Sequence, residues 1–97
     1  MGKFIIYFVL SLSNVFQLIL FFVRFAINLL TVTSEIAFHF NPRRSQHCIV
    51  RNSQLGGSWG HEEQDGGYPF TPGAPFDILI LFEQESFLTA VNGIFLN

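Results

Sequence analysis

Charge is what this chain has least of. Asp, Glu, Lys and Arg make up 12% of its 97 residues, about half the share usual for a soluble domain. Only five residues are Lys or Arg, the net charge is −2, and Arg43-Arg44 is the single adjacent basic pair. Nothing there could displace the counterions of a phosphate backbone, so nucleic acid is excluded as a partner. Cysteine is scarcer still. One thiol, Cys48, cannot close an internal disulfide, and it reads as a small core hydrophobe. His39, His47 and His61 fall on separate segments without metal-ligand spacing, so neither metal nor cofactor is implied. Internal repeats and low-complexity tracts are missing. Met1-Gly2 is followed by Ile6 rather than Ser or Thr, which excludes the myristoylation signal.

Apolar residues fill the space that charge leaves: 49% of the chain is hydrophobic, with thirteen Phe. A chain this short makes one small domain, which needs a dense apolar core to fold. The distribution is uneven. Phe4 to Val23 carries no charge and lies between Lys3 and Arg24. Its length would span a bilayer as a helix. Lys3, Phe4 to Leu10 and the small pair Ser11 and Ser13 also fit a secretory signal. Two further readings are a translated non-coding stretch and a buried strand. We therefore divide the chain into a hydrophobic segment, 1–23, and a domain over 24–97.

From Arg24 the period is two. Phe25, Ile27 and Leu29 alternate with Ala26 and Asn28, which predicts a half-buried strand. Thr31 to Ser34 reads as a turn. Glu35 to Asn41 is the clearest strand, with Ile36, Phe38 and Phe40 on one face and Ala37, His39 and Asn41 on the other. Pro42 cannot donate to a ladder, so this strand should end there or lie at an edge. His47 to Asn52 is another strand, ended by a turn over Ser53 to Ser58. Phe76 to Phe82 is apolar on both faces, as in a central strand. Phe87 to Val91 alternates, and Asn92-Gly93 before Ile94-Phe95 predicts a two-residue hairpin. Short strands at close spacing, with no helical period after residue 24, imply an all-β sandwich or jelly roll.

Two groups of residues could carry chemistry. His39, Asn41 and Arg43 project from one strand face about 7 Å apart. An imidazole, an amide and a guanidinium in a row suit a ligand with several hydroxyls. The plain competing reading is a solvated sheet face. Trp59 offers a flat apolar surface that packs on the C–H side of a pyranose. Glu62 can fix a guanidinium and accept from hydroxyls. A single Trp is also a common core residue.

The strings His39-Phe40-Asn41-Pro42-Arg43, Ile49-Val50-Arg51-Asn52-Ser53, Trp59-Gly60-His61-Glu62-Glu63, Pro69-Phe70 and Val91-Asn92-Gly93 resemble a galectin carbohydrate-recognition domain, over about Phe25 to Phe95. The resemblance implies a galectin-type jelly-roll β-sandwich, incomplete at both ends, that binds β-galactosides such as lactose without catalysis. It further implies that His39, Asn41 and Arg43 hold the axial 4-hydroxyl and ring oxygen of galactose. Asn52 and Glu62 would take the 6-hydroxyl, and Trp59 would stack on the ring. Partners would be glycans of glycoproteins or glycolipids, with a possible homo-oligomer and with membrane contact only through residues 4–23. The family works in the cytoplasm or outside the cell after non-classical secretion, whereas residues 4–23 would suit a secreted or anchored protein.

Besides the incomplete ends, two departures stand out. Gln64 occupies the place of the family's usual Arg, which implies weaker or altered binding beyond galactose. Arg44 replaces the usual aromatic, and the connection from Arg43 to Asn52 is short, so this loop should follow its own path. Gln64 and the short loop also support an alternative, a galectin-related interaction module without sugar binding. A glycosidase built on Glu62-Glu63 is disfavoured, because adjacent residues of an extended chain point to opposite faces.

Overall fold

The computed structural model describes residues 24–96 apart from 73 and 85, and the backbone of 4–10. Among the described residues, eight strands form two four-stranded antiparallel sheets. They are β1 (Phe4–Leu10), β2 (Ile27–Leu30), β3 (Ile36–Arg43), β4 (Cys48–Leu55), β5 (Ser58–Trp59), β6 (Phe76–Glu83), β7 (Ser86–Val91) and β8 (Ile94–Phe95). One sheet has the order β2-β3-β4-β5 and the other β1-β6-β7-β8. The first belongs to a compact unit over Val23–Tyr68, and the second to a unit that includes Pro69–Asn97.

In the first unit, alternation does what the sequence predicts. Phe38 and Phe40 on β3 are buried, the latter completely, and Ile49 and Val50 on β4 are buried too. β2 alternates between half-buried and exposed residues. The turn before β3 closes with Ser34 N–H donating to Thr31 O and Thr31 N–H to Glu35 O. Thr31 Oγ1 accepts from Thr33 N–H and Glu35 N–H, as a turn threonine does.

At Pro42 the edge alternative holds, and the end of β4 needs correction. β3 does not stop at Pro42 but runs on to Arg43. The reason is local: β2 pairs with β3 only as far as Phe40, whereas β4 pairs on through Pro42 and Arg43. At Pro42 the strand therefore has one neighbour among the described residues, and the edge rule for proline holds for that stretch alone. β4 likewise outlasts its predicted end at Asn52 and reaches Leu55. The turn is then Gly56-Gly57, both at positive φ (64° and 82°), with Leu55 paired to Ser58. Two left-handed central residues suit a tight hairpin, and glycine takes them without strain. Gly56 N–H also donates to Glu35 Oε2 at 2.5 Å, tying this turn to the one before β3. The short connection after Arg43 is a 3₁₀ turn over Arg44–Gln46, closed by His47 in the left-handed region.

In the second unit β6 is inner, paired with β1 and β7. Its Ile78 and Ile80, on one face, are fully buried, while Leu79 and Leu81 on the other are half-buried. Asn92 and Gly93 take φ of 52° and 79°, and Val91 pairs with Ile94, so the predicted hairpin is present. Phe4–Leu10 runs as β1, antiparallel to β6 from Phe4↔Phe82 to Leu10↔Phe76. The remainder of the hydrophobic segment, 11–23, on which the signal and anchor readings also fall, lies outside the described residues. Among those that are described, no helix is long and apolar enough to cross a membrane.

Because Phe40 is fully buried at the centre of β3, Phe40→Ala should destabilise the fold by about 3–5 kcal/mol. A urea unfolding midpoint checks this; an unchanged midpoint would remove Phe40 from the core.

Candidate functional site

β3 has two faces, and the one opposite Phe38 and Phe40 carries His39, Asn41 and Arg43. Strand register surrounds His39 with polar neighbours: it lies across from Asn28 on β2 and from Asn52 on β4. His39 Nδ1 is 2.6 Å from Asn28 Oδ1. An amide oxygen only accepts, so Nδ1 carries the proton and Nε2 keeps its lone pair. The Trp59 ring lies 5.0 Å from the imidazole, tilted by 59°. Trp59 remains 48% exposed, so its indole is a surface platform rather than core.

Asn41 is the buried centre of the group, 4% exposed. Its Nδ2 donates to Phe25 O at 2.6 Å. Its Oδ1 accepts from Arg43 Nε at 2.8 Å and from Arg24 Nη2 at 3.4 Å. A buried amide engaged on both sides is rigid, and it aims the two guanidinium groups. Arg43 donates from Nη1 to Gln46 Oε1 at 3.2 Å. Its Nη2 forms an ion pair with Glu62 Oε2 at 3.7 Å. The other oxygen of Glu62 accepts from Gln64 Nε2 at 2.8 Å. Gln64 thus keeps the donor role while supplying no charge.

Asn52 holds the turn next to Trp59. Its Nδ2 donates to Gly60 O at 2.9 Å, and its Oδ1 accepts from Ser53 N–H at 2.8 Å. A Cβ at residue 60 would come 3.1 Å from Asn52 Oδ1, which explains a glycine directly after the tryptophan.

The electrostatics are balanced rather than strongly one-signed. Burial pushes His39 below its usual imidazole range, and Arg43 and then Arg24 add to the effect. A hydrogen bond with Asn41 and the Glu62 charge act in the other direction. His39 is therefore neutral near pH 7. With Arg43 matched by Glu62, the face offers directed donors and acceptors beside one apolar ring. That combination fits a neutral polyhydroxyl ligand better than an anion. Among the described residues, no group of three His, Cys, Asp or Glu could hold a metal ion.

His39, Asn41, Arg43, Asn52, Trp59 and Glu62 all fall within the unit Val23–Tyr68. His39 links to Trp59, Arg43 links to Asn41 and Glu62, and Asn52 sits across from His39. Sequence reasoning missed Arg24 and Asn28. Asn28 had a legible signal, since it alternates with Ile27 and Leu29 and so shares the polar face. Arg24 had none: its contact with Asn41 spans 17 positions and depends on how the chain enters β2.

Comparison with known proteins identifies the family. The family model for the galactoside-binding lectins matches residues 22–97. A 32 kDa beta-galactoside-binding lectin of Caenorhabditis elegans is 44% identical over 70 residues, 72% of this chain and 25% of that protein. Human Galectin-7 is 44% identical over 72 residues, 71% of this chain and 53% of that one. Among solved structures, chicken Galectin 2 superposes with a TM-score of 0.61 at 37% identity, covering 70% of this chain and 52% of the other. This chain thus spans between a quarter and about half the length of these relatives. The all-β, galectin-type fold expected from the sequence is borne out, and the chain belongs to the galactoside-binding lectin family.

Proposed function

We propose that the chain is a non-catalytic lectin that binds β-galactosides through the face of β3. The carrying observation is that His39, Asn41, Arg43, Asn52, Trp59 and Glu62 fall within one unit, where Arg43 bonds the buried Asn41 and pairs with Glu62, and Trp59 lies against His39. In this reading His39 Nε2, Asn41 and Arg43 contact the axial 4-hydroxyl and the ring oxygen of galactose. Asn52 and Glu62 take the 6-hydroxyl, and the Trp59 ring covers the C–H face of the sugar. An equatorial 4-hydroxyl would leave these donors and acceptors unpaired, which makes the site selective.

Catalysis finds little support. Glu62 is engaged by Arg43 and Gln64, and Glu63 is the neighbouring residue of a segment whose backbone bridges to Arg51. Two carboxylates so placed do not flank one glycosidic bond. Gln64 supplies no cation beyond Glu62, so contacts to the second sugar should be weaker than where Arg stands. Sugar hydroxyls exchange water for protein at little net gain. Useful strength would then come from several sites on clustered glycans or in a homo-oligomer.

The full chain should be retained on immobilised lactose and released by free lactose but not by sucrose. Trp59→Ala should weaken retention by about tenfold or more, since the stacking surface is gone. A folded protein that passes straight through would reject the lectin reading in favour of an interaction module. The state of His39 adds a pH dependence. Neutral His39 is the form whose Nε2 accepts from a hydroxyl, and its pKa is held below the ordinary value. Lactose affinity should be level from about pH 8 to about pH 6.5 and decline on further acidification as His39 takes up a proton. Titration calorimetry on the acid side tests this; affinity that stays level as far as the protein remains folded would exclude His39 as an acceptor.

A further inference from the structure

Between Ile49-Val50 and Asn52, an arginine stands where the sheet buries its side chains. Arg51 pairs with Phe40 and shares its face, opposite His39, and only 4% of it is exposed. A buried guanidinium is costly unless its donors are used. Here Nη1 donates to Ile49 O at 2.8 Å and to Asp65 O at 2.7 Å. Nη2 is buried without a hydrogen-bond partner among the described residues. For stability alone, an unbranched apolar side chain of similar length would serve as well or better.

What Arg51 holds is the segment after Trp59. Residues 60–67 are exposed, and no named strand runs through them. Their link to the sheet is an isolated bridge, in which Arg51 N–H donates to Glu63 O at 2.9 Å and Glu63 N–H donates to Arg51 O at 3.0 Å. The side-chain bond to Asp65 O lies two residues further on. One residue therefore grips the chain at 63 and again at 65. Glu62 and Gln64 are bonded to each other, and Glu62 meets Arg43.

We propose that Arg51 is a positioning residue of the binding face, fixing the backbone of residues 63–65 from behind the sheet and so holding Glu62 and Gln64 against Arg43. The inference rests on the lectin reading for its effect on sugar, but the grip itself is independent of any ligand. Preorganising a polar rim strengthens binding because the ordering is done before the sugar arrives. Arg51 then lowers stability slightly while raising affinity, a combination that a purely structural residue would not produce.

The experiment compares the wild-type full chain with Arg51→Met and Arg51→Lys, using amide hydrogen exchange without sugar, the urea midpoint, and lactose calorimetry. In Arg51→Met the midpoint should stay level or rise, while exchange at residues 61–66 speeds up and that of β6 and β7 does not. Lactose affinity should fall about tenfold, the worth of a charge-assisted hydrogen bond. Arg51→Lys, with one cation to reach a carbonyl, should recover part of both effects. Unchanged exchange at 61–66 would overturn the proposal, as would a lowered midpoint with faster exchange throughout. If the wild type does not bind lactose, the lectin reading fails on its own, and the exchange pattern alone decides the role of Arg51.

Discussion

Side-chain alternation along β3 is the constraint on which the rest depends. Eight residues, Ile36–Arg43, serve two surfaces with opposite demands. Phe38 and Phe40 must leave water, and their burial anchors the strand. His39 and Arg43 stand on the polar face, while Asn41 is buried there and hydrogen-bonded through both ends of its amide. A one-residue slip in register would exchange the two sets and destroy both surfaces together. Several features resist that slip. Pairing with β4 continues past Pro42, the Gly56-Gly57 turn fixes the far end, and Glu35 ties the two turns.

The polar face then organises itself around Asn41. Its amide spans Phe25 O on one side and the guanidinium groups of Arg43 and Arg24 on the other. Arg43 passes the alignment to Glu62, and Glu62 to Gln64. His39 sits beside this chain, oriented by Asn28 and covered by Trp59. The groups that would touch a sugar are thereby held largely by one another, with Asn28, Arg24 and Gln64 as supports. The ion pair at 3.7 Å is half exposed and adds little stability by itself. Its contribution is to orientation.

Much of this was legible before any coordinates. Alternation located β2, β3 and β7, a continuous apolar run located β6, and Asn92-Gly93 located the last hairpin, because these signals are local. The polar row on β3 was visible for the same reason. Strand ends were less legible, since they depend on pairing rather than on composition. Pro42 forbids a ladder only where a partner strand stands on its N side, and the extent of β2 is not written near residue 42. The pairing of Phe4–Leu10 with β6 joins segments some seventy positions apart, and an uncharged run gives no hint of its partner. Arg24 and Arg51 were missed for a related reason. Each acts through long-range contacts, Arg24 with Asn41 and Arg51 with Glu63 and Asp65, and none of these follows from the spacing of like residues.

The central claim is that one face of the β2-β3-β4-β5 sheet receives the galactoside. The most direct test is a lactose titration of the ¹⁵N-labelled full chain, followed by amide and indole resonances. The account predicts saturable shifts at the Trp59 indole N–H and at the backbone of residues 39–43, 52 and 60–65, with β6, β7 and β8 unmoved. No saturable shift, or shifts centred on β6 to β8, would contradict it.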